Sequence, residues 1–109
     1  MKKRVMCVHT ELVREGSVLY EGKDGNTSIT TTEEAAGFAA SFFGKQDKEL
    51  LYVCAVNGEL EPVLMELVAK GSKNVCYAEP ADIFKSAILA NAYGIFCFHN
   101  HPGGRAKAS

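Results

Sequence analysis

The sequence lacks the features that would mark a membrane protein, a disulfide-rich secreted protein or a strongly basic nucleic-acid binder. It contains no tryptophan and only three prolines in 109 residues, and its formal net charge is −1. A charge this close to zero gives no general attraction to a phosphate backbone, so the composition does not support nucleic-acid binding. No apolar run has the length of a membrane helix, and none follows the basic residues 2–4 as in a signal peptide. We therefore expect one cytoplasmic domain, residues 1–109, with a single hydrophobic core.

Cysteine is sparse, and its spacing excludes the common cysteine-based sites. Cys7, Cys54, Cys76 and Cys97 each lie in an apolar stretch, and no two of them form the Cys-x-x-Cys spacing of zinc ribbons or redox enzymes. A disulfide framework would require a secreted context, which the sequence does not indicate. The four side chains are expected to be small buried thiols in a reducing compartment.

The first part of the chain combines a strand pattern with a helix start. Residues 5–12 alternate apolar and polar side chains as an edge strand does, and residues 18–20 resume the pattern as a hairpin. Residues 22–28 are rich in turn formers. Residues 30–34 then open a helix, because threonine caps free amide groups and acidic side chains suit the positive end of the helix dipole.

The remaining elements alternate between strand and helix. Residues 49–56 are apolar almost throughout, which predicts a strand in the middle of the sheet, covered on both faces. Residues 60–69 fit a strand, with helix as the competing interpretation because a proline and two acidic residues interrupt the pattern. A second helix is predicted to begin at residues 79–80, with proline in its first turn. A final apolar strand occupies residues 94–101, so the order predicts an α/β or α+β sandwich around one sheet.

Two histidines lie at the end of this last strand, directly before a Pro-Gly-Gly turn. Side chains alternate faces along a strand, so His99 and His101 are expected to point the same way. Two imidazoles at a strand tip can form part of a zinc site, although a hydrolytic site needs a third protein ligand and a water. A nearby carboxylate must also accept a proton from that water. Taken alone, the two histidines fit a polar strand tip, hydrogen-bonded to nearby backbone, better than a metal site.

The order of residues around these histidines resembles a known family. His99-Asn100-His101-Pro102 is followed by six residues and then by Ser109. This pattern resembles the JAMM metal-site motif, in which a distant Glu precedes His-x-His-Pro, six residues, Ser, two residues and Asp. From about residue 28 onward, the chain is similar to the RadC-like branch of the JAB/MPN domains that carry this motif. Further similar segments are Thr30 to Ala36, Gly71 to Asn74, Pro80 with Asp82-Ile83-Phe84, and Ala90 to Ala92.

The resemblance implies a fold and a set of roles. The fold would be JAB/MPN-like (cytidine-deaminase-like), a mixed β-sheet flanked by helices, with a hairpin over residues 1–27 and the motif-bearing core over residues 28–109. His99 and His101 would ligate zinc, Glu49 would act as general base, and Ser109 would help to stabilise an oxyanion. The implied reaction is metalloprotease-like hydrolysis of an amide or isopeptide bond in a peptide-like substrate.

Several positions depart from the family pattern. The third zinc ligand of the family, an Asp, would fall three residues past Ser109, and the elements that follow it are expected to be missing. Arg105 stands where the family usually has Asp, and Ala81 replaces an Arg. Asp82, His9 or a partner chain are the alternative sources of a third ligand. A sheet without its later elements would have uncovered edges, which predicts a homo-oligomer.

Two other functional interpretations follow from the same residues. The first is a catalytically inactive JAB domain that serves as an interaction or accessory module. The second is a nucleic-acid-associated protein, which rests on the DNA-repair name attached to the family and which the neutral charge does not support. A zinc deaminase is excluded, because the sequence has neither the His-x-Glu nor the Pro-Cys-x-x-Cys signature of that class.

Overall fold

A four-stranded sheet organises the part of the chain that the computed structural model describes, which is residues 1–22, 25–43, 49–71, 78–101 and 105–108. Side chains are described over the same ranges except for residues 41–43, 101 and 105–108. The elements in chain order are α1 (Thr32–Phe43), β1 (Leu50–Val56), β2 (Pro62–Lys70), α2 (Pro80–Leu89), β3 (Gly94–His101) and β4 (Arg105–Ala108). The strands lie in the spatial order β2-β1-β3-β4. The predicted α+β fold with helices against a sheet is therefore confirmed.

Antiparallel pairing determines which ends of the strands are neighbours. β1 pairs with β2 on one side and with β3 on the other, and β3 also pairs with β4. All three pairings among the described residues are antiparallel, so the mixed sheet that the resemblance implied does not occur within them. Because β1 and β3 run in opposite directions, the start of β1 lies beside the end of β3.

The two faces of the central strand pack against different elements. On one face, Leu50, Cys54 and Val56 form a core with Phe98 and with α1, whose buried side chains are Ala35, Phe38 and Ala39. On the other face, Val53 and Ala55 are fully buried, and α2 contacts β1 and β2. The prediction that residues 49–56 form an inner strand covered on both faces is thus confirmed.

Both helices begin at the predicted signals. The Oγ1 atom of Thr31 accepts a hydrogen bond from the backbone N–H of Glu34 at 3.1 Å, and the Thr31 hydroxyl lies 3.3 Å from Glu34 Oε1. The first of these bonds satisfies a backbone amide that has no partner within the helix, and the second joins the two side chains. At α2, Pro80 occupies the first turn, and the side chain of Asp82 accepts a hydrogen bond from the Glu79 amide at 3.3 Å.

The strand predicted over residues 5–12 is absent, and so is its continuation over residues 18–20. Residues 1–22 contain no helix or strand, and the side chains up to Leu19 are exposed. The prediction was wrong because an alternating segment becomes a strand only where a neighbouring strand and a packed surface receive it. The first side chain of this segment to reach the core is Tyr20, whose ring contacts Phe38 edge-to-face with centroids 5.0 Å apart.

The outer strands β2 and β4 form the two edges of the described sheet. Each pairs with one neighbour among the described strands, so each has a second side without a described strand partner. An edge of this kind can pair with another chain. Association between copies of the protein therefore stays a prediction, and a sizing measurement would test it.

Candidate metal centre

His99 lies on an inner strand close to the end of β3. It is half-buried, and its backbone is opposite Leu51 on β1 and Lys107 on β4. Residues that pair across an antiparallel ladder share a face of the sheet, so His99 lies on the face of Leu51 and Val53, opposite to the face that packs against α1. Neighbouring strands on both sides therefore hold the backbone that carries this imidazole.

His101 is the last residue of β3, and its backbone pairs with that of Arg105. The two histidines are thus separated by a single residue within one continuous strand, as the sequence predicts. The side chain of His101 lies outside the described residues, as do residues 102–104 and Ser109. The roles expected for His101 and Ser109 accordingly stay predictions.

Glu49 directly precedes β1 and is half-buried. The register of β1 against β3 pairs Leu51 with His99. Continued by two residues, the same register brings Glu49 opposite His101. The fold thus places the candidate base and the candidate ligands at one end of two neighbouring strands, although 50 residues separate Glu49 from His99 in the chain.

The two alternative ligands named from the sequence are engaged elsewhere. Asp82 accepts a hydrogen bond in the first turn of α2, and His9 lies in the exposed N-terminal segment with its Nε2 atom 3.7 Å from Glu11 Oε2. Over the side chains that the structure describes, no three His, Cys, Asp or Glu residues are grouped so that they could hold a metal ion. Among the described side chains, neither Asp82 nor His9 therefore belongs to a three-residue group with His99.

The cysteines of the described residues differ in their burial. Cys97 shares a face with His99 and is half-buried, and burial raises the pKa of its thiol. Cys54 is fully buried, whereas Cys7 is exposed because the segment that carries it has no packed face. The expectation of a buried thiol is thus wrong for Cys7, and Cys76 lies outside the described residues.

The burial of Cys54 leads to a testable difference in reactivity. Burial raises the pKa of its thiol to about 12, so the reactive thiolate is essentially absent near neutral pH. In the folded protein at about pH 8, iodoacetamide should alkylate the exposed Cys7 and leave the buried Cys54 unmodified. Both should react in denaturant. Peptide mass spectrometry measures the two sites separately, and equal labelling of Cys7 and Cys54 in the folded protein would contradict the buried position of Cys54.

One functional candidate was not identified from the sequence. Asn100, the residue between the two histidines, is 3% exposed, and its Oδ1 atom accepts a hydrogen bond from the backbone N–H of Leu50 at 2.6 Å. Strand alternation offered a signal, because Phe96, Phe98 and Asn100 share the face that packs against α1. A polar side chain on a buried face requires a hydrogen-bond partner, and here the partner is the first residue of β1.

No helix within the described ranges has the length and apolar character needed to cross a membrane.

Comparison with known proteins identifies the family to which this chain is similar. Residues 29–109 match the family model of the RadC-like JAB domain. The chain is 30% identical over 91 residues to a UPF0758 protein of Pelodictyon phaeoclathratiforme, an alignment that covers 84% of this chain and 41% of that protein. It is 31% identical over 107 residues to a UPF0758 protein of Aquifex aeolicus, covering 96% of this chain and 45% of the relative. The chain therefore spans less than half the length of these relatives.

Proposed function

This chain belongs to the RadC-like JAB domain family, and from that membership we propose that it carries a zinc-dependent hydrolytic site of the JAMM type. The proposed reaction is hydrolysis of an amide or isopeptide bond in a peptide-like substrate. His99 and His101 would hold the metal ion, and Glu49 would act as the general base.

The register of β1 against β3 is the observation that carries this proposal. It pairs Leu51 with His99 and so brings the start of β1, where Glu49 lies, to the end of β3. A hydrolytic centre needs a proton acceptor close to the metal ligands. The antiparallel pairing supports this combination, because it brings together residues that are far apart in the sequence.

The side chains proposed for this site, two imidazoles and one carboxylate, are of the types found in zinc hydrolases. Imidazole nitrogen is a common zinc ligand, and a carboxylate beside the ligands is the usual proton acceptor in zinc hydrolases. The family motif implies an Asp as the third ligand, at a position beyond residue 109. When bound, zinc would supply Lewis-acid polarisation of the scissile carbonyl and would lower the pKa of a water molecule.

The residues of the chain would then perform the following steps. The carboxylate of Glu49 takes a proton from the attacking water while the water oxygen bonds to the carbonyl carbon. Glu49 next delivers that proton to the leaving nitrogen, so that one amide and one water give a carboxylic acid and an amine. The hydroxyl of Ser109 would donate a hydrogen bond to the oxyanion that forms in between.

A second candidate function is a non-catalytic interaction module with the same fold. It draws on the departures of the sequence from the family pattern, in which Arg105 stands where the family usually has Asp and Ala81 replaces an Arg. This candidate predicts no hydrolysis at any zinc concentration, and it predicts that His101→Ala has no functional effect. Composition gives no support to nucleic-acid binding or to a role in DNA repair, since the net charge is −1.

The proposal is tested by zinc-dependent release of amines from a panel of peptides and isopeptide-linked conjugates. One equivalent of zinc should activate the protein, and a chelator should abolish the release of amines. His99→Ala should remove the activity because it deletes a ligand, whereas His9→Ala should retain it because His9 lies in the exposed N-terminal segment. Amine release that is absent from the wild type, or that survives in His99→Ala, would overturn the proposal.

A further inference from the structure

The peptide group that joins Glu49 to Leu50 is hydrogen-bonded at both of its polar atoms. Its carbonyl oxygen accepts a hydrogen bond from the backbone N–H of Gly71 at 2.8 Å, on the β2 side. Its N–H donates to Asn100 Oδ1 at 2.6 Å, on the β3 side. A peptide group is planar, so two bonds in opposite directions fix the orientation of the whole group. The backbone that carries Glu49 is therefore held from both neighbouring strands.

On the β3 side, the acceptor of this hydrogen bond is a side chain and not a backbone carbonyl. The ladder between β1 and β3 ends at the pair Leu51 and His99. One step further, the amide of Leu50 bonds to the side chain of Asn100, which is 3% exposed. Leu50 itself is 7% exposed, so its N–H has little access to water as an alternative partner. Loss of this acceptor would leave a buried donor unsatisfied, which a folded protein avoids by shifting the backbone.

Asn100 also lies on the opposite face of the sheet from His99. Its neighbours on that face are Phe98 and the core against α1, because side chains alternate along β3. It can therefore influence Glu49 through the backbone of β1 without occupying the space that a metal ion or a substrate would need.

We infer that Asn100 is a positioning residue, which fixes Glu49 relative to His99 and His101 by anchoring the first peptide group of β1. The inference rests on the proposed function, since it assigns the positioning of the general base in that reaction. Catalytic groups must be held within about 0.5 Å of their productive geometry, and an error of about 1 Å can cost on the order of 10²-fold in rate. Asn100→Ala is therefore expected to lower kcat by about that factor, with little change in KM.

The experiment compares Asn100→Ala and Asn100→Asp with Val56→Ala in the full chain. Asp keeps an acceptor oxygen at the same position but places a carboxyl group at a site that is 3% exposed, so a folded Asn100→Asp should be less stable than the wild type and should retain a higher kcat than Asn100→Ala. Val56 is 2% exposed and lies at the far end of β1, so Val56→Ala controls for a general loss of core packing. The readouts are kcat, KM, zinc affinity and the hydrogen exchange of individual amides by NMR, all at a temperature where each variant is folded.

The expected results distinguish a loss of positioning of Glu49 from a general loss of stability. In Asn100→Ala, the amide of Leu50 should exchange faster and kcat should fall, while the amides of Val53 and Ala55 keep their protection. Val56→Ala should be destabilised but should keep a kcat near that of the wild type. A folded Asn100→Ala with the wild-type kcat would overturn the inference and leave the proposed function standing.

Two further outcomes are also decisive. If Asn100→Ala does not fold, the test rests on Asn100→Asp alone. A folded Asn100→Asp variant with a strongly reduced kcat would contradict the role of the acceptor oxygen. A near-normal kcat together with a protected Leu50 amide would support that role. Wild-type protein without zinc-dependent hydrolysis would overturn the proposed function, and the positioning role with it.

Discussion

Glu49→Gln is expected to reduce the zinc-dependent hydrolysis by about 10²–10⁴-fold, the usual contribution of a positioned general base. Glutamine keeps the size and shape of the side chain but cannot accept the proton from the attacking water. The affinity for zinc should change little, because the proposed ligands are His99 and His101. The measurement is the rate of amine release at saturating zinc, together with a zinc titration of each protein.

Glu59→Gln provides the matched control for this substitution. Glu59 is exposed in the turn between β1 and β2, where its backbone accepts a hydrogen bond from the Ser28 hydroxyl and donates one to Asn57 Oδ1. The control should therefore retain the wild-type rate. Glu49→Gln with a wild-type rate would exclude Glu49 as the base, and a large loss of zinc affinity in that variant would make Glu49 a ligand instead.

Phe98→Ala is expected to lower the free energy of unfolding by about 3–5 kcal/mol, the range found when a buried phenylalanine is removed. Phe98 is completely buried between the sheet and α1. Its ring contacts Phe38 edge-to-face with centroids 5.9 Å apart, and it stacks with Phe96 at 6.3 Å. Alanine would leave a cavity at the point where α1 rests on β3. A loss of this size is a large part of the stability of a small domain.

Urea unfolding followed by far-UV circular dichroism measures this effect. Phe84→Ala is the matched control, because Phe84 is 48% exposed on α2 and leaves a much smaller void. Its substitution should cost about 1 kcal/mol or less, as is usual for partly exposed positions. Equal losses in the two variants would contradict the position of Phe98 at the centre of the core.

Local signals in the sequence were sufficient to predict most of the helices and strands. The capping residues Thr31 and Glu34 marked the start of α1, and Pro80 marked the start of α2, because capping depends on residues within one helical turn. Residues 60–69 were ambiguous between strand and helix. They form β2 because the side chain of Asn57 accepts hydrogen bonds from the backbone N–H groups of Glu59 and Glu61, which closes a turn and returns the chain antiparallel to β1.

Features that depend on pairing between distant segments could not be predicted from such local signals. The alternation over residues 5–12 indicates a strand, but no partner strand receives it in the described chain. The proximity of Glu49 to the histidines depends on the register between β1 and β3, which the sequence pattern does not contain. The hydrogen bond from the Leu50 amide to Asn100 joins residues 50 positions apart, so the local sequence pattern does not indicate a role for the residue between the two histidines.

The most direct test of the proposed metal centre is the anomalous scattering of zinc in crystals of the chain grown with the metal. A zinc peak about 2.0–2.1 Å from an imidazole nitrogen of His99, the usual zinc–histidine distance, is the predicted result. The peak should lie at the end of β3 beside the start of β1, where Glu49 is located. A peak bound only to His9 or to Cys7, or the absence of any peak at a zinc excess, would contradict the assignment of the metal centre to the end of β3 beside the start of β1.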